Sequence, residues 1–91
     1  MEFTTMNCQH VNQVAELERS CFSTPWSENA IAGELNNPLA LWIVAVEGET
    51  VAGYVGSQSV LGEADMMNIA VSNEYRRQGI AQELIKCLVA R

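Results

Sequence analysis

Ninety-one residues, 48% of them hydrophobic, suit one globular domain with a small core. Eleven acidic against five basic side chains give a formal net charge of -6, which argues against sequence-independent binding to nucleic acid or anionic membrane, since both need clustered cations to displace counterions. Cys8, Cys21 and Cys87 are odd in number, widely spaced and without a C-x-x-C pair, so they suggest neither a disulfide framework nor a metal site but reduced thiols in a cytoplasmic protein.

The N-terminal "MEFTTMNCQHVNQ" has no basic segment followed by an apolar one, and no stretch is long enough to span a bilayer. Residues 2–6 are expected to form a short strand. "NCQHVNQVAELERSCF" then places Val11, Val14, Ala15, Leu17, Cys21 and Phe22 near helical period, with Asn7 as cap and His10 exposed within the helix. In "STPWSENAIAGELNNP", Thr24 or Ser27 can accept the free amides of a second, short helix, Pro25 fits its first turn, and Asn37-Pro38 ends it.

"LALWIVAV" (39–46) is continuous, apolar and β-prone; after Glu47-Gly48-Glu49-Thr50 it pairs with "VAGYVGSQSV" as a hairpin. Gly53 and Gly56 leave the second strand open to close approach by another backbone or a ligand. "ADMMNIAV" (64–71) is the next strand, and Ile80, Leu84, Ile85 and Leu88 return to helical spacing from about Gly79 to Arg91. The order is β-α-α-β-β-β-α, an α/β chain, with no repeat or linker to divide it.

The junction into the last helix concentrates the chemistry. A helix start leaves amides without intrachain partners and is partly positive, so it attracts anions. Gly79 lets a phosphate reach the backbone, Ala81 keeps the next turn small, and Arg76 and Arg77 add charge with phosphate-matching geometry. The expected ligand is a phosphate or pyrophosphate. A Walker loop and the dinucleotide G-x-G-x-x-G are both absent, which removes support for nucleotide hydrolysis and hydride transfer. The bland alternative, an eased turn with solvated arginines, is weakened because four of the five cations lie at or beyond position 76.

Arg76-Arg77-Gln78-Gly79-Ile80-Ala81 resembles the Q/R-x-x-G-x-G/A signature of the GNAT N-acetyltransferases, and "NIAV" with "YRRQGIAQELI" is similar to their acetyl-CoA-binding motif. "CFSTPWS" followed by "NIAVSNEYRRQGIA" is similar to the ribosomal-protein-alanine N-acetyltransferases, the RimI type, which acetylate a protein's N-terminal amine. The resemblance implies a largely antiparallel sheet, acetyl-CoA as cosubstrate and a protein or peptide N-terminus as acceptor. Amides from Arg77 to Ala81 would hold the pyrophosphate, and the open edge of Asn68, Ile69, Ala70 and Val71 the pantetheine arm, with the thioester carbonyl near the amides of Ile69 to Val71.

In the RimI type, the glutamate that removes the amine proton and the tyrosine that protonates the thiolate lie beyond the helix that ends this chain. Residues 1–91 are therefore expected to be one truncated domain whose catalytic residues are unknown and which, alone, can be inactive. Glu63 and Asp65 are candidate bases, outweighed by their reading as solvated turn carboxylates; Tyr54 and Tyr75 are candidate donors, outweighed by packing and loop capping. Trp26 either borders the acceptor site or simply packs, while Trp42, Met66 and Met67 are core. An open fourth-strand edge invites self-association. Two rivals to the enzyme stand beside it: a CoA-binding module without acid/base machinery, and an interaction domain in which the arginine-glycine turn is incidental.

Overall fold

The apolar run from Ala40 has side chains to bury on both faces, and it lies in the interior of a four-stranded antiparallel sheet. In the computed structural model, which describes residues 1–60 and 63–90 with backbone alone at residues 60 and 63–67, β2 (Ala40–Glu47) pairs with β1 (Glu2–Thr5) and with β3 (Thr50–Val60). β3 pairs in turn with β4 (Glu63–Val71), so the order is β1-β2-β3-β4. Gly48, at φ 62°, turns the β2–β3 hairpin in a conformation that favours glycine. Helices α1 (Val11–Cys21) and α2 (Glu28–Glu34) precede β2, and α3 (Ile80–Val89) follows β4 after a single 3-10 turn at Asn73–Tyr75. The α/β order β-α-α-β-β-β-α and the antiparallel sheet are as the sequence led us to expect.

Strand alternation divides the core in two. Trp42, Val44 and Val46 of β2 join Val11, Val14, Ala15 and Ile31 beneath α1 and α2, while Ile43 and Ala45 face Ile80 and Leu84 of α3. A bulge where Ala45/Val46 meet Gly53/Val51 makes Ala52 the extra residue; it sends Val51 to the first layer and Ala52 to the second, where alternation already places Val55 opposite Ile43. A second register shift, between Gly56↔Asn68 and Ser57↔Met66, makes residue 67 the extra one in β4.

Four local expectations change. Asn7 does not cap α1: its Oδ1 accepts the Gln9 N–H at 2.8 Å and its own N–H donates to His10 Nδ1 at 3.0 Å, forming a turn that ends where Val11 begins the helix. His10 is therefore half-buried at the boundary rather than exposed inside the helix, and burial holds its pKa below the ordinary 6.5 against the opposing pull of Glu2. For α2 the cap is Ser27, whose Oγ accepts the Ala30 N–H at 3.1 Å, which leaves Pro25 ahead of the first turn. Gly53 does admit backbone, since an added Cβ would lie 2.9 Å from Ala70 O, but Gly56 admits neither backbone nor ligand: its would-be Cβ falls 2.7 Å from the Trp42 indole.

Among the described residues no helix is long and apolar enough to cross a membrane, and no group of three or more His, Cys, Asp or Glu is placed to hold a metal ion.

Candidate functional site

Beyond β4 the chain is pinned by the Ser72 N–H bonding Ala52 O at 2.8 Å, then twists through two left-handed residues, Arg77 at φ 68° and Gly79 at φ 75°. For arginine that conformation costs about 1–2 kcal/mol; strain of this kind collects where a loop must present its backbone in one orientation. Gly79 is the N-cap of α3, with no side chain bonded to the helix start. The first bond of the helix runs from the Glu83 N–H to Gly79 O at 3.1 Å, so the amides of Ile80, Ala81 and Gln82 precede any intrahelical acceptor.

These amides open onto a cavity of about 440 Å³ lined by Val71, Arg76, Arg77, Gly79, Ile80 and Ala81, among others. A Cβ built at Gly79 would have no atom within 4 Å, so the space over the helix start is clear. The two arginines differ. Arg76 is tied down, its Nε donating to Val71 O at 3.2 Å and its Nη2 lying 4.0 Å from Cys21 Sγ, whereas Arg77 makes no side-chain hydrogen bond or ion pair among the described residues. Gln78 is exposed in the same loop. Partial positive charge, a free guanidinium and unfilled space thus coincide, as an oxyanion or pyrophosphate group requires.

The edge of β4 leads into this cavity. Because Ser72 bonds Ala52, antiparallel alternation turns the backbone groups of Ala70 and Asn68 toward Tyr54 and Gly56 in β3 and those of Ile69 and Val71 outward. The bond from Arg76 to Val71 O agrees with that direction. Of the four edge residues singled out in sequence, two therefore present backbone at the open side and two are spent within the sheet.

The opposite face of β4 holds what the sequence reading missed. Glu18, fully buried, accepts hydrogen bonds from Tyr54 Oη, from Asn68 Nδ2 at 2.6 Å and from the Trp26 backbone N–H at 3.0 Å. Burial first, and then the hydrogen bond to Glu18 and its charge, pushes the Tyr54 hydroxyl above the ordinary tyrosine range; Tyr54 packs in the sheet as a neutral donor. The signal was present: Glu18 stands four residues after Val14 and three after Ala15, on the apolar stripe of α1, where a carboxylate needs partners.

Trp26 stands half-buried, edge-on to Trp42 at 5.7 Å, and Trp42 stacks on Tyr54 at 5.8 Å. Trp42 also donates through Nε1 to Glu34 at 3.3 Å, beside the Gln58 Nε2 bond to the same oxygen at 2.8 Å. Tyr75, in the 3-10 turn, packs against the α3 layer. The side chains of Glu63, Asp65, Met66 and Met67 lie outside the described residues. Another cavity, of about 560 Å³, lies at the β1 edge of the sheet among Glu2, Thr4, His10 and Glu49 and shares no residue with the α3 junction.

Comparison with known proteins places this geometry in context. The sequence model of the acetyltransferase (GNAT) family matches residues 11–91. A Bacillus subtilis (strain 168) protein, provisionally named a [ribosomal protein bS18]-alanine N-acetyltransferase, is 34% identical over 85 residues, 92% of this chain and 56% of that protein. The [ribosomal protein bS18]-alanine N-acetyltransferase of Escherichia coli (strain K12) is 32% identical over 73 residues, 80% of this chain and 49% of that protein. The crystal structure of the ribosomal-protein-S18-alanine N-acetyltransferase from Escherichia coli superposes with a TM-score of 0.84 at 26% identity, over 98% of this chain and 57% of that one. An aminoglycoside 6'-N-acetyltransferase solved with coenzyme A shares the fold, with a TM-score of 0.83 at 19% identity over 97% of this chain and 53% of that one. This chain spans about half the length of the curated relatives it matches.

Proposed function

The chain belongs to the acetyltransferase (GNAT) family, and from that membership we propose that it carries the acetyl-CoA-binding half of an N-acetyltransferase acting on the N-terminal α-amine of a protein, such as a ribosomal protein. The observation that carries this reading is the uncapped start of α3, its amides open to a cavity beside the free Arg77 guanidinium and continuous with the outward edge of β4. Amides from Arg77 to Ala81 hold the pyrophosphate of coenzyme A, Gly79 leaves room for it, and Arg77 supplies the formal charge. Arg76 sets the loop against the end of β4. Gln78 borders the same loop.

The outward groups of Ile69 and Val71 take the pantetheine arm as an added strand would, and an outward amide there donates to the oxyanion formed as the amine attacks. Asn68 and Ala70 act through the sheet by holding that edge in place. When bound, acetyl-CoA supplies the activated acyl group and its leaving thiolate; these residues supply binding, orientation and electrostatics. Trp26 borders the acceptor side. The α-amine of a peptide terminus is the acceptor that the two bS18-alanine acetyltransferases favour by their names. Reduced thiols and a cytoplasmic setting complete the proposal.

Isothermal titration with coenzyme A tests the cradle, and acetyl transfer to an alanine-starting peptide tests the reaction. Binding is the expected outcome, and transfer beside it favours the enzyme. Binding without transfer favours the rival, a CoA-binding module. No binding at all removes both and leaves an interaction domain. The β4 edge, unpaired among the described residues, is also where a second copy or a complementary strand would add, and concentration-dependent sedimentation is the expected sign of it.

A further inference from the structure

We propose that Glu18 is a positioning residue: its buried carboxylate joins the loop carrying Trp26 to the bulge in the middle of β4 and so holds the acceptor side in register with the outward amide of Ile69. Its bearing on acetyl transfer rests on the function proposed above; the mechanical link stands on geometry alone. The three donors to Glu18 come from three separate places: the loop after α1, through the Trp26 N–H; the middle of β3, through Tyr54 Oη; and the first residue after the β4 bulge, through Asn68 Nδ2.

No cation pairs with Glu18 among the described residues, and no buried side-chain nitrogen or oxygen among them lacks a partner. Removing a carboxylate from water costs several kcal/mol. Attaching α1 to the sheet does not need one, since Val11, Val14 and Ala15 already pack there. What a carboxylate adds is direction. Apolar contacts allow sliding, whereas charge-assisted bonds fix both distance and angle. Asn68 directly precedes Ile69, and residue 67 is the extra residue of the bulge, so a turn of the peptides there would re-aim the Ile69 amide. Glu18 bonds both the Trp26 N–H and the Asn68 side chain.

The link is tested by residue-resolved hydrogen exchange on the 91-residue chain carrying Asn68→Ala. The Trp26 amide is expected to exchange at least tenfold faster although its own acceptor is untouched, while amides of central β2, such as Val44, keep wild-type rates. A wild-type rate at Trp26, or equal acceleration at Trp26 and Val44, overturns the proposal. Glu18→Gln, which retains the shape but offers a single acceptor oxygen, adds the functional arm. The dissociation constant for coenzyme A should stay within threefold while KM for an alanine-starting peptide rises at least tenfold. The double exchange Glu18→Gln with Asn68→Asp, which restores a carboxylate–amide pair in reverse, should recover most of that rise. Equal losses for both ligands, or no recovery, count against the positioning role. If the wild-type chain binds no coenzyme A, the function proposed above falls, and in that case or if it transfers no acetyl group exchange at Trp26 alone decides the link.

Discussion

The two faces of one sheet are held by different physics. Beneath α1 and α2 the packing is threaded with polar groups: Glu18 gathers three donors, Glu34 takes the Trp42 indole and Gln58, and the stacked rings of Trp42 and Tyr54 lie between them. Beneath α3 the buried layer is Ile43, Ala45, Ala52, Val55, Ile80 and Leu84, and the buried polar side chain that alternation places on this face, Ser57, bonds only the neighbouring strand, donating to Leu41 O at 3.0 Å. The polar face determines where its parts sit; the apolar face determines only that they stay together. The start of α3, like that of α1, has no side-chain cap, but it opens onto the cavity beside Arg77; attachment of α3 rests on side chains and the proposed anion site on backbone amides and Arg77, with Ile80 contributing its side chain to one and its amide to the other.

The sharpest way to break this comparison is to make the same kind of substitution on both faces. Glu18→Met leaves its three donors without their acceptor, the Tyr54 hydroxyl fully buried among them, and should cost at least about 3 kcal/mol in urea denaturation. Leu84→Met, which conserves volume on the other face, should cost less than about 1.5 kcal/mol. Similar values would erase the distinction. An effect between these two is expected from Gly56→Ala, whose Cβ would enter the Trp42 ring: about 1–3 kcal/mol, with a change in tryptophan fluorescence.

Two substitutions at the α3 junction sharpen the separation between attachment and binding. Gly79→Ala forces a Cβ into φ 75° at a stability cost of about 1–2 kcal/mol and should weaken coenzyme A binding at least tenfold by titration calorimetry. Arg77→Gly relieves φ 68° and should leave the melting temperature unchanged or slightly raised while still weakening that binding severalfold. The smallest effect concerns Tyr54. The fold raises its pKa above the unfolded value near 10, so the stability that it adds is complete below pH 10 and is lost as pH rises above it. Denaturation at pH 9 and pH 11 should show a larger loss in wild type than in Tyr54→Phe.

Much of this was legible from local pattern. β2 announces itself as an apolar β-prone run, α2 through Ser27, and the α3 junction through two arginines and a glycine whose left-handed φ has few other occupants. What stayed hidden was set by contacts distant in the chain. The bond from Glu18 to Asn68 spans 50 residues, and no window of sequence contains both ends. Gly56 looked like room for a ligand because nothing near it in the chain reveals that Trp42 takes the space. Asn7 looked like a cap because its side chain suits one; the competing turn to Gln9 and His10 depends on where Val11 is drawn into the core.

The contact between Gly56 and the Trp42 indole also gives the two positions a preferred history. A lineage that enlarges residue 56 first must pass through a steric collision, while one that shrinks residue 42 first passes only through a void, the milder intermediate where neighbours can settle inward. Among descendants of an ancestor bearing this pair, a side chain at 56 should be found with a smaller ring or none at 42, and the reverse combination should be rare.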